Sequence, residues 1–342
     1  MAHAAPSSSR SGSGVAAGGS FWTDRRVEVI LGALASLVLL LILGMVVFVF
    51  NEAWPSFARN GLGWFGDPPG DSTIDQQIQA IFNSPANPAA YVYEVSTWPL
   101  IWGTVVTTLF AVAVGLAFSL LAAVFIVEFA PRRLRTVLEP VVRLLAAVPS
   151  VIYGLIGILV LVPFLGSLIS EERKRSVLGI VNLDGSSLLV AVLILTVMIT
   201  PIMIAIIVDA LRSIPRPWTE GAAALGVNRS RVMWTISVRA ARPAIIAAVV
   251  LATARALGEA IMLSMVSGSV GFPPNPIDGL TFFLEPTRPL AATIVDYREG
   301  LSNVPFGQTI YAFAAVLLLS AMFLSLGGWA AKQPLKRYGM RV

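Results

Sequence analysis

EGAAALGVNRSRVMWTISVRAARP, Glu220 to Pro243, is a polar stretch lying between two long apolar runs. Counted from Arg212 to Arg242, the interruption carries six arginines. Pro215 and Pro217 end what precedes it and restart the chain, and proline is well tolerated at a first helical position. Glu220 then falls in the first turn, where a carboxylate suits the helix dipole. Ala222, Ala223, Ala224 and Leu225 favour helix. Gly226 is placed to close that helix, and Asn228 to cap the next one. The spacing therefore predicts helix, glycine stop and helix at a membrane surface, with small side chains offered to a partner. An interfacial helix held only by lipid phosphates on its arginines fits the same composition.

The flanking runs set the fold class. Charged residues make up 13% of the 342-residue chain and hydrophobic ones 56%. A soluble domain carries about twice that charge, and the apolar residues fall in long unbroken runs, so this is a membrane protein. No cysteine is present, which excludes disulfides, thiolate metal sites and cysteine nucleophiles. The one histidine, His3, lies in a tail, so histidine catalysis and histidine metal clusters are not expected. No G-x-x-x-x-G-K-[ST] occurs, so no P-loop binds ATP here. No metal, catalytic group or nucleic-acid partner is expected.

Six segments are long enough to cross a bilayer: Val27–Phe50, Gly103–Phe129, Leu144–Leu168, Leu188–Val208, Ala244–Val270 and Phe306–Ala331. Each reads as a helix, because backbone groups in lipid must pair internally. The expected fold class is thus an all-α membrane protein of six transmembrane helices. Val27–Phe50 has 24 residues, whereas a signal-peptide core has only about 7–15, so it reads as an uncleaved first span. Residues 1–26, rich in Ser, Gly and Ala at the start, read as a disordered tail. Positive charge gathers at Arg25 and Arg26, at Arg132, Arg133, Arg135 and Arg143, in the 209–243 loop, and in the 332–342 tail. That bias puts both termini and the Glu220 loop in the cytoplasm. The net-acidic loop 51–102 lies on the other side.

Breakers and charges inside the spans mark candidate sites. Pro149, one to two turns into the third span, predicts a kink. Arg255 and Glu259 are the formal charges of Ala244–Val270. At i, i+4 they share one helix face, which predicts a pair pointing into the bundle and neutralising itself. One reading is a structural lock; the other has Arg255 lining an anion's route, since guanidinium matches phosphate and stays charged. Ser264 and Ser267 continue along the helix, as hydroxyl donors to that route or as interhelical hydrogen bonds.

The order Glu220, Gly221, Ala222, three residues, Gly226, nine residues, Ile236 resembles the Glu-Ala-Ala loop of ABC importer permeases. Gly221 replaces an alanine, and Val238-Arg239 replaces Leu-Pro. EFAPRRLR (Glu128–Arg135), VPSVIYG (Val148–Gly154) and RALGE (Arg255–Glu259) resemble the phosphate importer permeases. The long loop after the first span favours one of that family's two paralogous permease subunits. The resemblance implies a type I, MetI-like permease core over residues 103–331 that forms half of a pore in a bacterial inner membrane. It implies that Glu220, Gly221, Ala222, Ala223, Leu225 and Gly226 dock on a cytoplasmic ATPase dimer, which would hold the ATP and magnesium. It also implies a second permease, an extracytoplasmic phosphate-binding protein, inorganic phosphate as cargo, and a part in transport for Arg255 and Glu259. Sulfate or phosphonate as cargo, the paralogous permease subunit, and a secondary anion transporter are the alternatives. No second copy of the Glu220 loop or of the Arg255 pair suggests the internal repeat that a secondary transporter often has.

Overall fold

In the computed structural model, residues 20–70, 72–85, 87–176 and 183–333 are described. Of the expected disordered tail, residues 1–19 lie outside these residues, as does most of the basic tail, whereas 20–26 are helical and open the first helix. Regular structure among them is helical, apart from one isolated parallel bridge between Gly268 and Thr287.

In chain order the helices are α1 (Ser20–Asn60), α2 (Ile74–Phe82), α3 (Trp98–Val124), α4 (Arg132–Ala146), α5 (Ser150–Leu168), α6 (Glu171–Ser176) and α7 (Leu188–Arg212). There follow α8 (Arg216–Ala224), α9 (Arg229–Ala240), α10 (Arg242–Leu257), α11 (Ile261–Val266), α12 (Thr281–Leu284), α13 (Leu290–Asp296) and α14 (Val304–Lys332). Five are long and apolar enough to cross a membrane, namely α1, α3, α5, α7 and α14. A sixth crossing is available if α9 and α10, bent by 66° at Ala241, are counted together. Up to Phe48, α1 is a unit of its own whose apolar side chains are exposed.

In the unit that begins at Val49, α7 is the central helix. Its first part, from Leu188 to Met203, packs in one cluster with Val106, Tyr153, Ala252, Ala256 and Met262. Its last turns, Ile204 to Leu211, pack in another with Ala123, Ile126, Met233 and Ala248. Lipid tails are as apolar as leucine, so helices associate by close packing rather than by escape from water. Small residues supply it here: Ala248, Ala252 and Ala256 repeat every four residues on α10 and are fully buried. Gly154 of α5 serves the same end, since a Cβ there would stand 3.2 Å from the Cα of Met262 on α11. A third cluster joins the segment before α3 to α14, with Trp64, Ile74, Ile78, Ile81, Leu100, Phe306 and Phe313 buried together.

The structure corrects three expectations about breaks. Pro149 does not kink a span: it stands between α4 and α5 and starts the second of them. The apolar run Leu144–Val148 had fused two helices, of which α4 is amphipathic and outside the span. Past their first turns, the prolines within crossing helices are Pro55 of α1, Pro163 of α5 and Pro201 of α7. Finally, the span expected over Ala244–Val270 is broken, because α10 ends at Leu257 and α11 starts only at Ile261.

Candidate functional site

Two regions carry the expected site residues. The first is α8 with the turn after it. The helix begins at Arg216, so Glu220 sits in its second turn rather than its first. Gly226 adopts φ +77°, a conformation that favours glycine. Its N–H donates to the Ala223 carbonyl at 2.9 Å, and the Val227 N–H reaches the Ala222 carbonyl at 3.3 Å. This double closure is a Schellman end. The Asn228 side chain then accepts from the Ser230 N–H at 3.0 Å and caps α9. Glu220, Gly221, Ala223, Leu225 and Gly226 are exposed, and Ala222 is half-buried. Leu225 is 84% exposed, which suits contact with another surface.

Ion pairs fasten both flanks of this surface to the spans. Arg212, at the end of α7, forks onto both carboxylate oxygens of Glu139 on α4, one of them at 2.9 Å. Arg229, at the start of α9, pairs with Glu128 just after α3. The Arg212 hydrogen bond holds the Glu139 carboxyl below its ordinary value.

The second region is the broken span. Arg255 lies in the last turn of α10 and is exposed. Among the described residues it makes no ion pair and no hydrogen bond. Glu259 lies within the break, is buried, and accepts from the Met262 N–H at 3.2 Å at the start of α11. The neutralising pair is therefore absent, because i, i+4 neighbours meet only on a continuous helix and Gly258–Ala260 is not helical. Ser264 and Ser267 sit on or just after α11, not on a continuation of α10. The Ser264 hydroxyl donates to Asp296, and Ser267 is fully buried.

A third charge group was missed by the sequence reading. Arg288, with its side chain 10% exposed, pairs with Asp75 of α2. It also donates to the Tyr297 hydroxyl at 3.1 Å and to the Ser269 carbonyl. Its Nε lies 3.7 Å from Asp296. Asp75 is set by a capping box in which Thr73 Oγ1 accepts from the Gln76 N–H at 3.3 Å and Gln76 Oε1 from the Thr73 N–H at 3.0 Å. The only sequence signal was a cation in the apolar stretch PTRPLAATIV.

Residues 115–332 match the family described as binding-protein-dependent transport system inner membrane component. The chain is 30% identical over 307 residues to the probable ABC transporter permease protein YqgH of Bacillus subtilis, covering 88% of each. It is 33% identical over 238 residues to the probable phosphate transport system permease protein PstC of Methanocaldococcus jannaschii, covering 68% of this chain and 70% of that one. With the phosphate transport system permease protein PstC of Xylella fastidiosa it shares 31% over 269 residues, 73% of this chain and 80% of that one. A chain of the solved bacterial alginate ABC transporter, in complex with its alginate pentasaccharide-bound periplasmic protein, matches with a TM-score of 0.56. At 15% identity over 92% of this chain and 98% of that one, the likeness is one of fold.

Proposed function

This chain belongs to the family of binding-protein-dependent transport system inner membrane components, and from that premise we propose that it is the PstC-type permease subunit of an ATP-driven importer of inorganic phosphate. It is a multi-pass inner-membrane transport subunit with the fold of ABC importer permeases. Its proposed partners are a PstA-like second permease, a PstB-like ATPase dimer that holds ATP and magnesium, and a PstS-like phosphate-binding protein outside. Both termini and the α8 surface face the cytoplasm in this reading, as the charge bias requires.

The observation that carries the reading is Arg255, an exposed cation without an ion pair or hydrogen bond among the described residues. It stands at the far end of a helix whose residues from Pro243 to Ala254 are uncharged. A charge facing lipid at mid-membrane costs about 2.5–3.5 kcal/mol even on lenient scales. That cost is avoided if Arg255 faces an aqueous route shared with a second permease. There a guanidinium offers forked donors to phosphate oxygens. Relatives named as phosphate permeases point to the same cargo.

The coupling step follows from the first region. α8 presents Glu220 to Gly226 to the ATPase, and closure of the ATPase pair on ATP pushes it. The Arg212–Glu139 and Arg229–Glu128 pairs pass that push to α7, α4 and the end of α3. The spans then open outward to receive phosphate.

Labelled phosphate uptake tests the reading, in cells lacking this subunit and complemented with wild-type or Arg255→Gln protein. Uptake should vanish in Arg255→Gln while the complex still assembles, and excess sulfate or phosphonate should not compete in the wild type. Wild-type uptake by the variant would overturn the role of Arg255. Competition by sulfate would move the substrate to another oxyanion.

A further inference from the structure

Arg288 ties itself to three other stretches of chain, of which that at Asp75 is 213 residues away in sequence. Its guanidinium holds Asp75 of α2 and the carbonyl of Ser269 in the turn after α11. It also holds the Tyr297 hydroxyl just past α13 at 3.1 Å, and it stands 3.7 Å from Asp296 at the end of α13. The two carboxylates reach onward to the broken span. Asp296 accepts the Ser264 hydroxyl from α11, and Asp75 accepts the Gly271 N–H at 3.0 Å. The turn between them is under constraint, since Ser269 adopts φ +50°, an uncommon conformation for a residue with a side chain. Backbone bonds also hold this stretch, from the Thr287 N–H to the Ser267 carbonyl at 2.8 Å and from the Ser187 N–H to the Val266 carbonyl at 3.2 Å. Its side-chain ties to α2 and α13, however, run through Arg288 or through a carboxylate that it faces.

Buried charge is a poor way to gain stability, because well-packed apolar residues often do as well or better. It is a good way to fix one geometry, because few arrangements satisfy a fork of donors. Two carboxylates share one guanidinium here, and Asp296 Oδ2 and Arg288 Nε are buried without hydrogen-bond partners. The Asp296 side of the cluster is therefore held less tightly than the Asp75 side.

We infer that Arg288 is a positioning residue for transport: it locks the α11 segment, with Glu259 at its start, against α2, so that movement of the segment joining α1 to α3 is felt at the break beside Arg255. This rests on the transport reading above. It assigns Arg288 no contact with the cargo.

The test uses the full importer complex in proteoliposomes, with Arg288→Lys, Asp296→Asn and, should the first two assemble poorly, the milder Asp75→Asn. Phosphate moved per ATP hydrolysed, per assembled complex, should fall about tenfold, the scale of a typical coupling energy. A purely structural role would lower the amount of complex and leave that ratio at its wild-type value, which would overturn the proposal. A second readout does not depend on the cargo. The chain has no cysteine, so spin labels at Gln79 on α2 and Val270 in the turn report one distance. That distance should be narrow in the wild type and broad in Arg288→Lys. An unchanged narrow distribution would overturn the lock. Wild-type complex that moves no phosphate would sink the cargo assignment alone, and the spin-label distance would still decide the lock.

Discussion

Arg255 and Arg288 are the two arginines that matter most here, and they occupy opposite environments. Arg255 sits in the last turn of a largely apolar helix, exposed and without an ion pair or hydrogen bond among the described residues. Arg288 sits in a turn outside the long helices, nine-tenths buried, among two carboxylates, a phenol and a carbonyl. The sequence pattern assigns Arg255 a helical partner and marks no site at Arg288. The difference teaches that in a membrane chain an i, i+4 spacing counts only as far as the helix continues. It also teaches that a loop cation can be as deeply buried as a carboxylate at a helix break, since Arg288 and Glu259 are both 9% exposed.

Alanine at the two positions should separate them most widely. Arg288→Ala leaves Asp75 and Asp296, with side chains 34% and 21% exposed, without their shared cation, and leaving partly buried charged groups unpaired costs about 2–3 kcal/mol. Arg255→Ala removes no ion pair or hydrogen bond among the described residues and should stay within about 0.5 kcal/mol. Thermal unfolding of the detergent-solubilised complex, followed by tryptophan fluorescence, compares them. Equal losses of stability would break the contrast, and a large loss in Arg255→Ala alone would invert it.

What the sequence made legible was local. Gly226 and Asn228 act within a few residues, so helix, stop and helix around Glu220 could be read directly and stand in the structure. Crossing helices are legible for the same reason, since about 20 apolar residues identify each one. Pro149 was misplaced because α4 ends in the apolar residues Leu144 and Leu145, which continue without contrast into the next helix. The break after Arg255 had a signal in Gly258, but glycine alone does not distinguish a tolerated helical position from an end. The Asp75–Arg288 pair spans 213 residues. No periodicity or spacing reaches that far, and only the folded chain brings the two together.

The legible region permits a smaller test of the same contrast. Gly226→Ala puts a side chain on a left-handed residue, which costs about 1–2 kcal/mol. Nothing lies within 4 Å of an added Cβ, so the strain is in the backbone alone. The Schellman end of α8 should loosen, and ATP hydrolysis should run on while uptake falls. Gly226→Asp adds a charge to the exposed surface and should uncouple further. Normal coupled transport in both variants would show that the local geometry, though easily read, is not what drives the spans.

The Arg212–Glu139 pair lies between the two extremes, partly exposed and at the membrane boundary, and its effect should be the smallest. Arg212 holds the Glu139 carboxyl below its ordinary value. A depressed carboxylate contributes stability that is fully present above the unfolded pKa, roughly 4.3, and is lost as pH falls through the folded value. Water screens a pair with 35% and 24% of its side chains exposed, so the contribution is at most about 1 kcal/mol. Glu139→Gln should therefore melt slightly below the wild type at pH 7, and the gap should close as the pH is lowered past that of the free carboxyl. A gap that persists in acid would mean that Glu139 acts by shape rather than charge. A gap as large as that of Arg288→Ala would mean that the boundary pair is as well shielded from water as the interior cluster, and burial would no longer be what distinguishes the two.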